Sequence, residues 1–326
     1  AEEDNEDEGE SVPFLLKSAH VTDGAFFYDD QRFDTLFDKG QFDESHFYLD
    51  SVYSGLTDLY IHHDTLQLNA VHLSTIDTKT KLMVSDLTTF FRFTDNSLEF
   101  HEIEGTVGKS HIAEKVIFRF QDDIATAFKD FSTKVKLEMD LKSTSIHTKD
   151  LAFFTPGIAY LDDYWTGTGV LKGSVSNFRS KNFKLEFGKR SHLRGQMHFD
   201  GLPDFFETII DLDLNESNIY PVDLEQYITS KGYLDGLKRL GDIKFHSSFY
   251  GFPLNFSAIG EFETKLGTVH SDVTLKVGLD KAFSTYKGYI RAEQFDMGTY
   301  IENDFLGKLA FDGNVVGEGF SLEHAI

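Results

Sequence analysis

The sequence predicts an all-β protein whose antiparallel strands lie side by side in one growing sheet. Three observations predict it: a hydrophobic period of two, turn signals about every ten residues, and a short motif that returns at a spacing of 73. The chain has 326 residues, 40% of them hydrophobic and 33 of them Phe, with only 5 Pro and 1 Trp. It holds ample apolar material to fold.

The period of two is set from Val12 onward. Val135, Leu137, Met139 and Leu141 alternate with Lys136, Glu138, Asp140 and Lys142. The same alternation places Leu193, Met197 and Phe199 against Arg194, Gln196, His198 and Asp200. It places Ile210, Leu212 and Leu214 against Asp211, Asp213 and Asn215, and Val273, Leu275 and Val277 against Asp272, Thr274 and Lys276. Successive side chains on a strand point to opposite faces, so each segment has one wet and one apolar face. Val116, Phe118 and Phe120 belong to the same apolar set.

Clusters such as Asp95-Asn96-Ser97 and Lys265-Leu266-Gly267-Thr268 separate these segments, a spacing too short for parallel crossovers. Gly167-Thr168-Gly169-Val170-Leu171-Lys172-Gly173 reads as tight strand turns; it lacks the spacing, the Ser or Thr and the following helix of a phosphate loop. Helical period is confined to Ile124, Ala127, Phe128 and Phe131, to Leu224, Tyr227 and Ile228, and to Leu234, Leu237 and Leu240, so a few short helices are expected.

The recurring motif is an Asp, a Leu or Met, two variable residues and an aromatic. Asp150 to Phe154, Asp223 to Tyr227 and Asp296 to Tyr300 lie 73 residues apart, and Asp86 to Phe90 offers an earlier member 64 residues upstream. An Asp suits a chain entering a short element, and the two apolar residues share one side of a helical turn. At roughly 5 to 6 residues a strand, each repeat would hold about six strands and the chain some 20.

Charge and composition exclude several function classes. The net charge of −23 argues against nucleic acid, because phosphate binding rests on Lys and Arg. Seven acids in the first ten residues make 1–11 an acidic linker, with 12–326 a single elongated, repeat-built β domain. The absence of Cys excludes a Cys nucleophile and thiolate zinc. His62-His63-Asp64 is the best metal-like cluster, but alternating strand directions would hold its two imidazoles apart. No catalytic or metal site emerges, no cofactor is implied, and the chain reads as a non-enzyme. No stretch approaches the roughly 20 apolar residues of a membrane-spanning helix, and both ends read as those of a piece of a longer protein.

An apolar sheet face of such length must be covered by a closed core, by a partner or by acyl chains. Several segments, in order, resemble the TamB (translocation and assembly module) family of the Bacteroidota type and, more broadly, AsmA-like bridge proteins. They are Ala25-Phe26-Phe27-Tyr28, Ser145 to Phe154, Leu193-Arg194-Gly195 with Gly201-Leu202, Phe249-Tyr250-Gly251 through Phe262, and Gly288-Tyr289-Ile290 through Gly298. The resemblance implies an elongated β-taco, a U-shaped twisted sheet with an apolar groove. It implies phospholipid as cargo, its acyl chains held by the sixteen apolar residues Val116 to Val277 named above. It implies a periplasmic location with an inner-membrane anchor outside this chain, and an outer-membrane β-barrel partner of the TamA or BamA type reached through other parts of the protein. The alternative is a non-transporting structural or binding module that assists outer-membrane β-barrel (autotransporter-type) assembly.

Overall fold

The computed structural model describes residues 12–32, 41–43, 45–154, 156–278 and 284–318. The acidic run 1–11 lies outside the described residues. The chain divides into two compact units, residues 1–129 and 130–326.

The first unit holds β1 (Phe14–Asp29), β2 (His46–His62), β3 (Thr65–Asp77), β4 (Met83–Phe93), β5 (Ser97–Val107), β6 (Ser110–Arg119) and helix α1 (Ile124–Lys129). Each strand pairs antiparallel with its chain neighbours, and β1 does not close onto β6. A run of β-bulges crosses this sheet. Asp58, His72, Asp86, Glu102 and Glu114, one on each strand from β2 to β6, all have φ between 52° and 89°. An extra residue in this conformation bends the strand and raises its twist.

The second unit contains α2 (Phe131–Lys134), β7 (Lys136–His147), α3 (Thr148–Leu151), β8 (Tyr164–Gly173), β9 (Asn177–Phe187), β10 (Ser191–Asp200) and β11 (Ile209–Ile219). It continues with α4 (Lys231–Leu240), β12 (Ile243–Phe252), β13 (Asn255–Thr264), β14 (Gly267–Lys276), β15 (Thr285–Asp296), α5 (Met297–Ile301) and β16 (Lys308–Glu318). The ten strands again follow chain order, and β7 does not pair with β16. The fold is thus all-β and antiparallel, with only five short α-helices among the described residues.

The 73-residue motif marks every fourth strand. Asp150 lies in α3 after β7, Asp223 in the 3-10 turn Pro221–Leu224 after β11, and Asp296 caps α5 after β15. The repeat therefore holds four strands rather than six, because strands of ten to twelve residues fill the length twice as fast as assumed. Asp86 is not a member: it sits inside β4 at a bulge, with φ 54° and its carboxylate against His72. Gly167 to Gly173 is not a set of turns either but the body of β8. Val135 is not a strand residue: it caps the C-terminus of α2 and is fully enclosed.

Candidate functional site: an apolar sheet face

The register of the second unit shows why one face of its sheet is apolar. Cross-strand pairing joins Leu137 of β7, Gly173 of β8, Phe178 of β9, Phe199 of β10 and Ile210 of β11 into one line. The line continues through Gly251 of β12, Phe256 of β13, Leu275 of β14, Tyr286 of β15 and Gly317 of β16. A parallel line runs Met197, Leu212, Phe249, Ala258, Val273, Gly288 and Val315. No charged residue interrupts either. The opposite face carries Asp211, Asp213, Lys244, His246, Glu261, Asp272 and Arg291.

Aromatic pairs reinforce the face. Phe178 and Phe199 stack with centroids 5.2 Å apart and planes 9° apart, Phe249 and Phe256 at 4.5 Å, and Phe245 and Phe262 at 5.7 Å. Such neighbours stabilise a sheet by about 0.2–1 kcal/mol a pair. Glycines share the face with the rings. Gly195 has φ +151° and lies between Phe183 and Leu214, where a Cβ would sit 1.9 Å from the carbonyl oxygen of Asp213.

The face is only half-buried. Leu137, Met139, Leu141, Leu193, Met197, Phe199, Leu212, Phe249, Phe256, Val273 and Leu275 all retain partial exposure; of the residues expected there, Ile210 and Leu214 are buried. In a closed sandwich the alternating Leu and Phe would be the best-buried residues of the domain. Here the side chains below 2% exposure are mainly Thr and Ser, with Val135 and Pro221. Over β13 to β15 the face sinks into a depression of about 390 Å³ lined by Phe256, Ala258, Ser271, Val273, Leu275, Tyr286 and Ile290. Val277 follows β14, its amide donating to the carbonyl of Leu254 at 2.8 Å.

The first unit has its own version. Leu66, Phe93, Leu98 and Phe118 form one cross-strand line, and Leu68, Phe91, Phe100 and Val116 the next. Phe120 lies beyond the end of β6, buried against Phe128 of α1 with centroids 6.2 Å apart.

Bulges set the limits of the apolar face. Ser143, Glu216 and Gln294, on the first strand of each repeat, have φ of 53°, 47° and 53°. Each inserts one residue, so pairing passes from Leu141 to Thr144, from Leu214 to Ser217 and from Ala292 to Phe295. Simple alternation would have put Ser143 and Glu216 on the apolar side.

The rim is held by carboxylates that grip neighbouring turns. Asp223, 7% exposed, accepts bonds of 2.9 Å from the amides of Lys189, Arg190 and Ser191 and from the Ser191 hydroxyl, tying the β9–β10 turn to the turn after β11. Burial opposes its charge, but these donors outweigh it and hold the carboxyl below its ordinary value. Asp163 accepts from the amide of Gly188 and from the Tyr227 hydroxyl at 2.8 Å, and Tyr227 accepts from the Trp165 indole at 2.7 Å. Burial, with the Asp163 carboxylate beside it, pushes the Tyr227 hydroxyl well above its usual range. The motif aromatic is thus a strut between strand ends.

The polar face carries a larger concavity, of about 700 Å³, bounded by Arg190, His192, Asn218, Asp242, Lys244, His246, Glu261 and Glu263. Several of its charges are already paired: Arg190 with Asp242, Glu216 with Arg194, and Glu261 with His270. His62 and His63 do come together, with ring centroids 4.1 Å apart, because His63 lies in the β2–β3 turn rather than on a strand. Among the described residues no group of three His, Asp or Glu could hold a metal ion. Among the described residues no helix is long and apolar enough to cross a membrane. No protein-family model, curated protein or solved structure matches the chain.

Proposed function

We propose that this chain is a non-enzymatic segment of a TamB or AsmA-like bridge that carries phospholipids across the periplasm along its apolar sheet face, in support of outer-membrane assembly. One observation carries the reading: one apolar line runs in register across ten strands and a second across seven, yet apart from Ile210 their side chains stay half-exposed. Apolar surface of that extent is costly in water, and acyl chains are a covering whose length and chemistry suit a continuous trough without polar anchors. The acidic opposite face would keep such a sheet soluble and off anionic membrane surfaces.

The test is solvent extraction of protein purified without detergent, followed by lipid mass spectrometry. Near-stoichiometric glycerophospholipid is expected. Leu212→Asp, placed between Met197 and Phe249, should lower bound lipid by at least about fivefold, a loss of roughly 1 kcal/mol of binding, and leave the far-ultraviolet circular dichroism unchanged. A lipid-free wild type, or a Leu212→Asp protein that unfolds because a charge has entered a closed core, would move the assignment to a structural or binding module.

A further inference from the structure

We infer that the depression over β13 to β15 is a seat for a single acyl chain, blind at one end, and that it sets a ceiling on the length of chain it takes up. The inference rests on the lipid-carrying reading above and adds to it a fixed position and a length preference. The floor is made of Ala258, Ser271 and Val273, with Gly260 opposite Ser271 and Gly288 opposite Val273. Neither glycine position can be filled: a Cβ at Gly260 would stand 2.5 Å from the His246 carbonyl oxygen, and one at Gly288 2.0 Å from that of Asp272. Rings wall the space on two sides. Phe256 leans on Phe249, with centroids 4.5 Å apart, and the Tyr286 ring lies over Gly317, where a Cβ would come within 2.3 Å of it. Beyond Ser271 and Ile290 the next pair along the strands is Val269 and Ala292. Ala292 is buried with Leu266 and Phe295 in a closed cluster on which Val269 packs, and this cluster is the stop.

Shape and chemistry fit one hydrocarbon chain. No charged side chain lines the depression among the described residues, so its occupant is apolar along its length. β13 and β15 stand roughly 9.6 Å apart, at about 4.8 Å a strand, and the rings they carry leave width for one chain. From Leu275 to Ser271 the floor runs roughly 13 Å, at about 3.3 Å a residue, so that chain lies lengthwise along β14. A methylene takes about the volume of a water molecule, roughly 30 Å³, and the 390 Å³ space therefore holds about 13 carbons. Each methylene added up to that length leaves water and gains contacts. Beyond it, the chain meets the stop and the next methylene gains nothing.

The test is a titration of the delipidated whole protein with straight-chain saturated fatty acids of about 8 to 18 carbons, read by displacement of dansylated undecanoic acid. Affinity should rise about fourfold per methylene and level off near about 13 carbons. Ala258→Leu, which fills the floor, should bring the break down by about three carbons, and Val273→Ala, which deepens the floor and introduces no clash, should raise it by about two. Met197→Phe, which adds bulk to the same face on β10, should leave the break where it is. Affinity that climbs to the longest acid, or a break indifferent to both Ala258→Leu and Val273→Ala, overturns the seat and leaves the lipid-carrying reading standing. A protein that binds none of the acids and proves lipid-free on extraction overturns both.

Discussion

Replacing Asp223 with alanine is expected to cost about 3–5 kcal/mol, because the buried Ser191 amide and hydroxyl and the part-buried amides of Lys189 and Arg190 lose one acceptor together. In a unit of this size that is a fall of roughly 10 °C in Tm, read by thermal denaturation. Ser191→Ala, which removes one of the four donors and the acceptor of the Tyr220 amide, should cost less, about 1–3 kcal/mol. The same carboxylate carries a pH dependence. Its proton affinity is lower folded than unfolded, so its stabilisation is complete above the unfolded value near 4 and is lost as pH falls through the lower folded value. Acidification below about pH 5 should therefore destabilise the wild type more steeply than Asp223→Asn. Equal slopes, or a loss below about 1 kcal/mol for Asp223→Ala, would show that the β9–β10 turn holds without this grip.

Gly195→Val should be more damaging still. The new Cβ would stand 1.9 Å from the Asp213 carbonyl oxygen and 3.0 Å from the Leu214 Cα, at a φ of +151° that side chains rarely adopt. β10 and β11 cannot keep their spacing, and a loss of about 4 kcal/mol or more, or failure of the second unit to fold, is expected. Gly313→Ala serves as the contrast, since its Cβ meets nothing closer than 3.6 Å, and it should change stability by less than about 1 kcal/mol. Similar denaturation midpoints for the two variants would mean that the approach of β10 to β11 is slack.

The antiparallel, all-β architecture was legible because alternation such as Leu137, Met139, Leu141 against Glu138, Asp140, Lys142 leaves a strand no other face to bury. The short helices around Ile124 to Phe131 and Leu234 to Leu240 were legible for the same reason, through a different period. What escaped was tied to backbone conformation. Alternation alone puts Ser143 and Glu216 on the apolar side, yet their left-handed φ brings Thr144 and Ser217 there instead. Gly167, Gly169 and Gly173 signal a turn by composition, whereas their lack of a side chain serves the interior of β8: Gly169 faces Phe183 and Gly173 faces Phe178. Asp86 shared the letters of the motif without its setting, since nothing local distinguishes an Asp that enters a helical turn from one that forms a bulge. The rim was hidden for a further reason: Asp163 and Tyr227 are 64 residues apart, and only the four-strand repeat brings them together.

Within each unit every strand finds its partners immediately before and after it in the chain. That arrangement has a kinetic meaning. Contact order is low for a β protein, so no strand must wait for a distant segment, and any hairpin can nucleate and recruit the next as the chain leaves the ribosome. The same locality makes unfolding proceed as fraying. Amide hydrogen exchange should be fastest at β1 and β16, the two ends of the strand order, and slow progressively away from them, a gradient that a sheet closed on itself would not show.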